Sequence, residues 1–233
     1  MDLQTDIRTG SELDLRTFTA FLASIPRMGI WPEVKTIDYD ALDASSRVVI
    51  LTPEQPIAGK KAAAVERFVR RGGRALLMLD SDRSWPPPGL SFLQQLGVDM
   101  KLEVIAKRWT VPSGPSLSPV LFALPLSLLY APRREPGEAS YPGPELRAGL
   151  LGIEQLLVDE EGVCVFGRRT VGKGQLFVLT RSSVFSQYVM GDIWGGVEPD
   201  QFRRGLYSLG YRVISEFLGT DTSGFSHSVE APS

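Results

Sequence analysis

The chain contains one cysteine, Cys164, and one histidine, His227. A thiol nucleophile needs its cysteine on a sharp turn after a strand, with a histidine base and a carboxylate in reach. Cys164 instead lies inside Val163-Cys164-Val165-Phe166, an apolar run that reads as a strand interior, and free cysteine is commonly buried. His227 stands in a polar C-terminal stretch. The residues argue against Cys/His catalysis, Ser/His catalysis and histidine-based metal sites. Gly172-Lys173-Gly174 lacks the glycine spacing and the Ser or Thr of a phosphate loop, so it reads as a hairpin turn. Small polar, acidic and aromatic residues remain: Asp80-Ser81-Asp82, Ser182-Ser183, and Asp192 with Trp194. Asp80 and Asp82 either cap the following loop through its backbone N–H groups or act on a ligand. Trp194 is either core or a partner-facing anchor that Tyr188 and Met190 would extend.

The elements that position these residues centre on 45–82. Val48-Val49-Ile50-Leu51 and Ala75-Leu76-Leu77-Met78-Leu79 are short apolar runs bounded by polar or turn residues, and each reads as a buried strand. Between them Ala58, Ala62, Val65, Phe68 and Val69 recur at helical spacing, with Lys60, Lys61, Glu66, Arg67, Arg70 and Arg71 mostly on the other side. Gly72-Gly73 then stops the helix behind two cations. Strand, helix and strand form a βαβ unit, which implies parallel strands in a sheet buried on both faces. Its second strand ends at Asp80, and open α/β sheets bind ligands at the carboxyl ends of strands.

In chain order, residues 1–10 are polar and uncommitted. Ser11 suits an N-cap, with Leu15, Phe18, Leu22 and Ile25 as the apolar stripe of a helix that Pro26 ends. A short strand is expected over 33–37. After Asp82 comes the rigid Trp85-Pro86-Pro87-Pro88-Gly89 loop, then a short helix over 90–96 closed by Gly97 and a weak strand over 101–107. Residues 110–150, rich in Pro, Gly and Ser, read as irregular. Within them the apolar run 120–129 fits core, an edge strand or a partner-binding surface. Order resumes at Ile153. Strands over 154–158, 163–168 and 175–179 form a β-meander feeding back into the main sheet, which would bring Ser182 near Asp80. A long amphipathic helix carries Phe202, Leu206, Leu209, Val213 and Phe217 and stops at Gly219.

At 233 residues and a formal net charge of −2, the size is that of one α/β domain, and interspersed charges argue against nucleic acid as the main partner. One cysteine excludes an internal disulfide framework. No secretory signal or bilayer-spanning run is recognisable, so the expected location is cytoplasmic, with membrane association only through a partner. The expected organisation is a single domain over 1–219 with an irregular insertion at about 83–150, followed by a disordered tail over 220–233.

Two stretches resemble a known group. Phe68-Val69-Arg70-Arg71-Gly72-Gly73-Arg74-Ala75-Leu76-Leu77-Met78-Leu79-Asp80, and later Val171-Gly172-Lys173-Gly174-Gln175-Leu176-Phe177-Val178-Leu179 leading into Ser182, are similar to GldG/intraflagellar-transport-52-like and DUF4350-type domains. These belong to the class I glutamine-amidotransferase-like fold. The resemblance implies a flavodoxin-like three-layer α/β domain with a mostly parallel sheet, usually non-catalytic, occurring in transport-system auxiliary subunits and scaffolding proteins. The apolar strand followed by Asp80-Ser81-Asp82 also resembles the first motif of haloacid-dehalogenase-like phosphatases. That would imply a Mg²⁺-dependent phosphohydrolase with Asp80 as nucleophile and Asp82 as acid/base, helped by Ser182 and Lys173. The acidic metal pair expected after a later strand is missing from the sequence.

The expectation is a non-catalytic protein-interaction or scaffold module, a pseudoenzyme without cofactor, with strands 48–51, 75–79 and 175–179 as parallel neighbours. Its candidate binding rim is Asp80, Ser81, Asp82, Ser182, Ser183, Asp192 and Trp194. The alternatives are the phosphohydrolase or a small-ligand sensor at the same cleft.

Overall fold

Asp2–Thr5 forms a strand, β1, between β2 (Glu33–Lys35) and β3 (Val48–Leu51), parallel to both. A computed structural model of the protein describes residues 2–5, 19–28, 33–35, 37–42, 48–53, 55–79, 85–105, 122–124, 145–159, 161–185, 190 and 201–219. The sequence reading leaves residues 1–10 unassigned, and the structure corrects this. Four residues with Gln and Thr among them carry no periodic signal, so β1 is defined by its two partners: Leu3 is opposite both Val34 and Val48.

The chain continues through α1 (Thr19–Ser24) and a 3-10 turn (Ile25–Met28) to β2 and β3. Next come α2 (Gly59–Arg70) and β4 (Arg74–Met78). Then follow α3 (Leu90–Gln95), β5 (Asp99–Ile105), β6 (Phe122–Leu124) and β7 (Glu145–Leu151). The last part holds β8 (Glu154–Asp159), β9 (Cys164–Val171), β10 (Gly174–Leu179), a 3-10 turn (Ser182–Phe185) and α4 (Gln201–Leu218).

The main sheet has the order β2-β1-β3-β4-β10-β9-β8-β6. Its first five strands are parallel in the flavodoxin-like order, with β10 in fifth place. The three expected neighbours are adjacent and parallel: Leu51 is opposite Leu77, and Leu77 opposite Val178. β9 and β8 follow antiparallel, the meander expected from the sequence, and β6 pairs parallel with β8. β5 and β7 form a separate antiparallel pair. The fold is a three-layer, flavodoxin-like α/β arrangement with a mostly parallel sheet.

Strand alternation sends side chains to two cores. Ile50, Leu76, Met78, Phe177 and Leu179 pack on one face with α1 and α4. Leu51, Ala75, Leu77, Leu176 and Val178 pack on the other with α2 and α3. α2 ends as the sequence requires: Gly72 takes φ +116, its N–H reaches the carbonyl of Val69, and the N–H of Gly73 reaches that of Phe68. This pairing is the Schellman arrangement, with glycine in the position that a side chain disfavours. The guanidinium of Arg74 donates to the carbonyl of Phe217 at 3.0 Å, supplying a cation to the last turn of α4.

Several boundaries differ from the sequence reading. The helix expected from Ser11 is described only from Thr19, and its 3-10 continuation carries the chain through Pro26 to Met28. Order resumes at Glu145, not Ile153, because β7 pairs with β5 rather than with the meander. Its alternation of Leu146, Ala148 and Leu150 is obscured by Gly149 and the Pro-rich residues before it. The strand expected over 101–107 occupies 99–105. The apolar run 120–129 supplies an outer strand, β6, of the main sheet. The tail expected over 220–233 lies outside the described residues.

Candidate functional site at the carboxyl ends of the parallel strands

Three loops leave the sheet at the carboxyl ends of β3, β4 and β10, and backbone hydrogen bonds join them. The N–H of Leu79, just past β4, donates to the carbonyl of Leu179 at 2.8 Å. The carbonyl of Leu79 in turn accepts the N–H of Ser182, also at 2.8 Å. Thr180 bends the chain back, its N–H donating to the carbonyl of Val165 at 3.0 Å. The 3-10 turn after β10 therefore lies against the residue that precedes Asp80. On the other side, the N–H of Ile57 donates to the carbonyl of Pro88 at 3.0 Å, tying the loop after β3 to the loop after β4. Gly89 lets that second loop settle on the strand, since a Cβ there would stand 2.8 Å from a methyl of Leu79.

Among the sequence-named residues, Ser182 is buried at this junction, with 2 % of its surface exposed. The backbone of Ser183 continues the 3-10 turn. Asp80, Ser81, Asp82, Asp192 and Trp194 lie outside the described residues, as do Tyr188 and the side chain of Ser183. Met190 corrects one expectation: it is 1 % exposed and packs in the core with α1 and α4, so it cannot extend an exposed patch. A flexible thioether fills the space between packed helices well.

Cys164 is buried on β9, on the α2 face of the sheet. Burial pushes its thiol up to about 12, against weaker opposing hydrogen bonds with the Phe166 and Leu156 backbone. The thiol is therefore neutral at physiological pH, and the nucleophile of thiol chemistry is the thiolate. Gly172-Lys173-Gly174 turns at the opposite, amino end of β10, where Lys173 N–H donates to the carbonyl of Arg70 at 3.0 Å. Its glycines serve close backbone packing: a Cβ on Gly174 would lie 2.2 Å from the carbonyl oxygens of both Gly73 and Val69. Among the described residues, no three His, Cys, Asp or Glu side chains are grouped to hold a metal. No helix among them is long and apolar enough to cross a membrane.

No family model and no curated protein matches the chain. Solved structures do. The mmIFT52 N-terminal domain superposes with a TM-score of 0.55 at 14% identity, over 95% of this chain and 98% of that domain. The link is one of fold. Exo-beta-1,4-mannosidase Op5Man5 from Opitutaceae bacterium strain TAV5 gives a TM-score of 0.52 at 13% identity over 92% of this chain. This chain spans only 36% of that enzyme's length. The likeness to an intraflagellar-transport-52-type domain thus holds at the level of architecture.

One exposed residue of the loop after β4 was not singled out from the sequence. Trp85 stands three residues before Pro88, which is tied to Ile57, and is 39% exposed, one of two large apolar side chains found exposed among the described residues. The Pro-Pro-Pro that follows reads as a rigid connection. The available signal was the tryptophan itself, a type enriched where proteins bind one another.

Proposed function

We propose that the chain is a non-catalytic protein-interaction or scaffold module, working in the cytoplasm as a subunit of a larger transport or trafficking assembly. The observation that carries this reading is the domain-for-domain match to the mmIFT52 N-terminal domain, nearly complete on both sides. The buried, neutral Cys164 is in keeping with it. The working surface is the strand-end rim, with Asp80, Ser81, Asp82, Ser182, Ser183, Asp192 and Trp194 joined by Trp85. Loops at this end of an open α/β sheet are placed by a rigid scaffold.

The test compares partner capture with stability. Trp85→Ala, Trp194→Ala and Asp82→Ala are made in the full chain, which is tagged and recovered from its native cell with its partners. Expected are losses of a stoichiometric partner with melting temperatures close to wild type. Lower melting temperatures with unchanged capture would remove the rim. Phosphatase turnover that needs Mg²⁺ and is lost in Asp80→Asn would replace the scaffold reading with the phosphohydrolase.

A further inference from the structure

Charge on this chain is concentrated along α2. Lys60, Lys61, Arg67, Arg70 and Arg71 face one acid, Glu66, and the adjoining turn adds Lys173. Six cations against one acid give this face +5, so with the whole chain at −2 the remainder carries −7. Lys60, Arg67, Arg70, Arg71 and Lys173 are all exposed. Arg70 pairs with Glu66 at 2.8 Å, and Lys61 lies 5.3 Å from the centre of the Tyr39 ring. Among the described residues, Lys60, Arg67, Arg71 and Lys173 have no carboxylate partner.

Helix stability accounts for only half of this pattern. Arg67 and Arg70 in the last turn complement the helix dipole. Lys60 and Lys61 stand in the first turn, which holds no acid, where a cation opposes the dipole. Lys60 lines up with Arg67 and Arg71 along one side of the helix, at some cost to the helix, while Lys61 lies over the Tyr39 ring.

We infer that the outer face of α2, extended by the Gly172-Lys173 turn, docks a short acidic segment of a partner protein. Twelve helical residues run about 18 Å, the length of five or six residues of extended chain. The arginine forks suit carboxylates, which they bind through paired N–H donors. A bilayer or a nucleic acid extends far beyond such a stripe and would meet a chain that is net negative as a whole, whereas a short acidic peptide stays within the positive field. This inference rests on reading the chain as an interaction module but uses a face separate from the rim.

The probe is fluorescein-labelled hexaglutamate, titrated into the full chain by fluorescence anisotropy at several salt concentrations. Saturable binding that weakens with salt is expected. The combined Lys60→Gln, Arg67→Gln and Arg71→Gln variant should bind about tenfold more weakly or worse. Lys173→Gln alone should weaken binding in the same direction, which keeps a readout if the triple variant folds poorly. A charge-matched control, Lys101→Gln with Arg204→Gln and Arg212→Gln, should stay near wild type. Equal losses in the control, no loss in the stripe variants, or stripe-dependent binding that is tighter to phosphatidylserine vesicles or single-stranded DNA would each overturn the proposal. Asp82→Ala and Trp194→Ala, titrated alongside, separate the surfaces: unchanged partner capture with intact peptide binding rejects the rim and leaves the α2 face standing.

Discussion

The backbone N–H of Lys173 donates to the carbonyl of Arg70 at 3.0 Å, joining the turn between β9 and β10 to the end of α2. One step on, the N–H of Gln175 donates to the carbonyl of Gly73. The two stretches that carry the family resemblance, Arg70-Arg71-Gly72-Gly73 and Gly172-Lys173-Gly174, therefore interlock. Their glycines allow backbone to pass against backbone where β10 joins β4.

Gly174→Ala should accordingly destabilise the protein by about 1–3 kcal/mol or more, since backbone cannot yield as a side chain does. Its Cβ would fall 2.2 Å from two carbonyl oxygens. Lys173→Ala should leave stability within about 0.5 kcal/mol, because its contribution is a main-chain amide. Urea denaturation of both variants decides the matter. A Lys173→Ala loss as large as that of Gly174→Ala would show that the lysine side chain matters after all.

Phe68 gives a second test. It is fully buried, and a Cβ on Gly73 would touch its ring at 2.4 Å. Phe68→Ala should cost about 3–5 kcal/mol, the loss of a core aromatic with a cavity left behind. Gly73→Ala should also destabilise. Combined with Phe68→Leu it should cost less than the sum of the two single changes, because the smaller side chain makes room. Simple additivity in a double-mutant cycle would mean the ring and the glycine do not meet.

The parallel core was legible because its signals are local. The apolar runs at 48–51 and 75–79, the stripe through Phe68 and the Gly72 stop each lie in one stretch of sequence. β1 was not legible, since Asp2–Thr5 is fixed by β2 and β3, whose residues lie far along the chain. β7 was hidden likewise, as its partner β5 precedes it by some forty residues. The carboxyl ends of β3, β4 and β10 were readable as a place, because strand ends follow from strands. The joining of Ile57 to Pro88 and of Leu79 to Ser182 is tertiary and leaves no mark on composition.

Cys164 makes a prediction about alkaline pH. Burial raises its thiol from 9.0 to about 12 in the folded chain. Between these values the native state keeps a proton that the unfolded state has released, so stability falls as pH rises through the window. Below about pH 9 this contribution is constant. Cys164→Ala should therefore lose less stability than wild type between pH 9 and 12. In native buffer near pH 8, alkylation by iodoacetamide should proceed only as the chain opens. Alkylation as fast as that of a free thiol would contradict the buried placement of Cys164.

Arg169 holds the β5–β7 pair to the main sheet. From β9 its guanidinium donates to the carbonyl of Gly152, and it also covers Gly97, where a Cβ would meet Nη2 at 2.8 Å. Gly97 and Gly152 stand beside the paired ends of β5 and β7, with φ of +74 and +71. A Cβ on Gly152 would stand 2.7 Å from the carbonyl oxygen of Gly97, so the two turns are in direct contact. One side chain thus holds two turns that close the same strand pair. The contact is exposed, so Arg169→Ala should change global stability by only about 1 kcal/mol. Its local effect should be larger: hydrogen exchange at the amides of β5 and β7 should quicken while β3, β4 and β10 keep their protection. Arg169→Lys should restore little of it, because an ammonium cannot donate to the Gly152 carbonyl and span Gly97 in one plane. Uniform quickening across the main sheet, or full protection in Arg169→Ala, would show that β5 and β7 are held by packing alone.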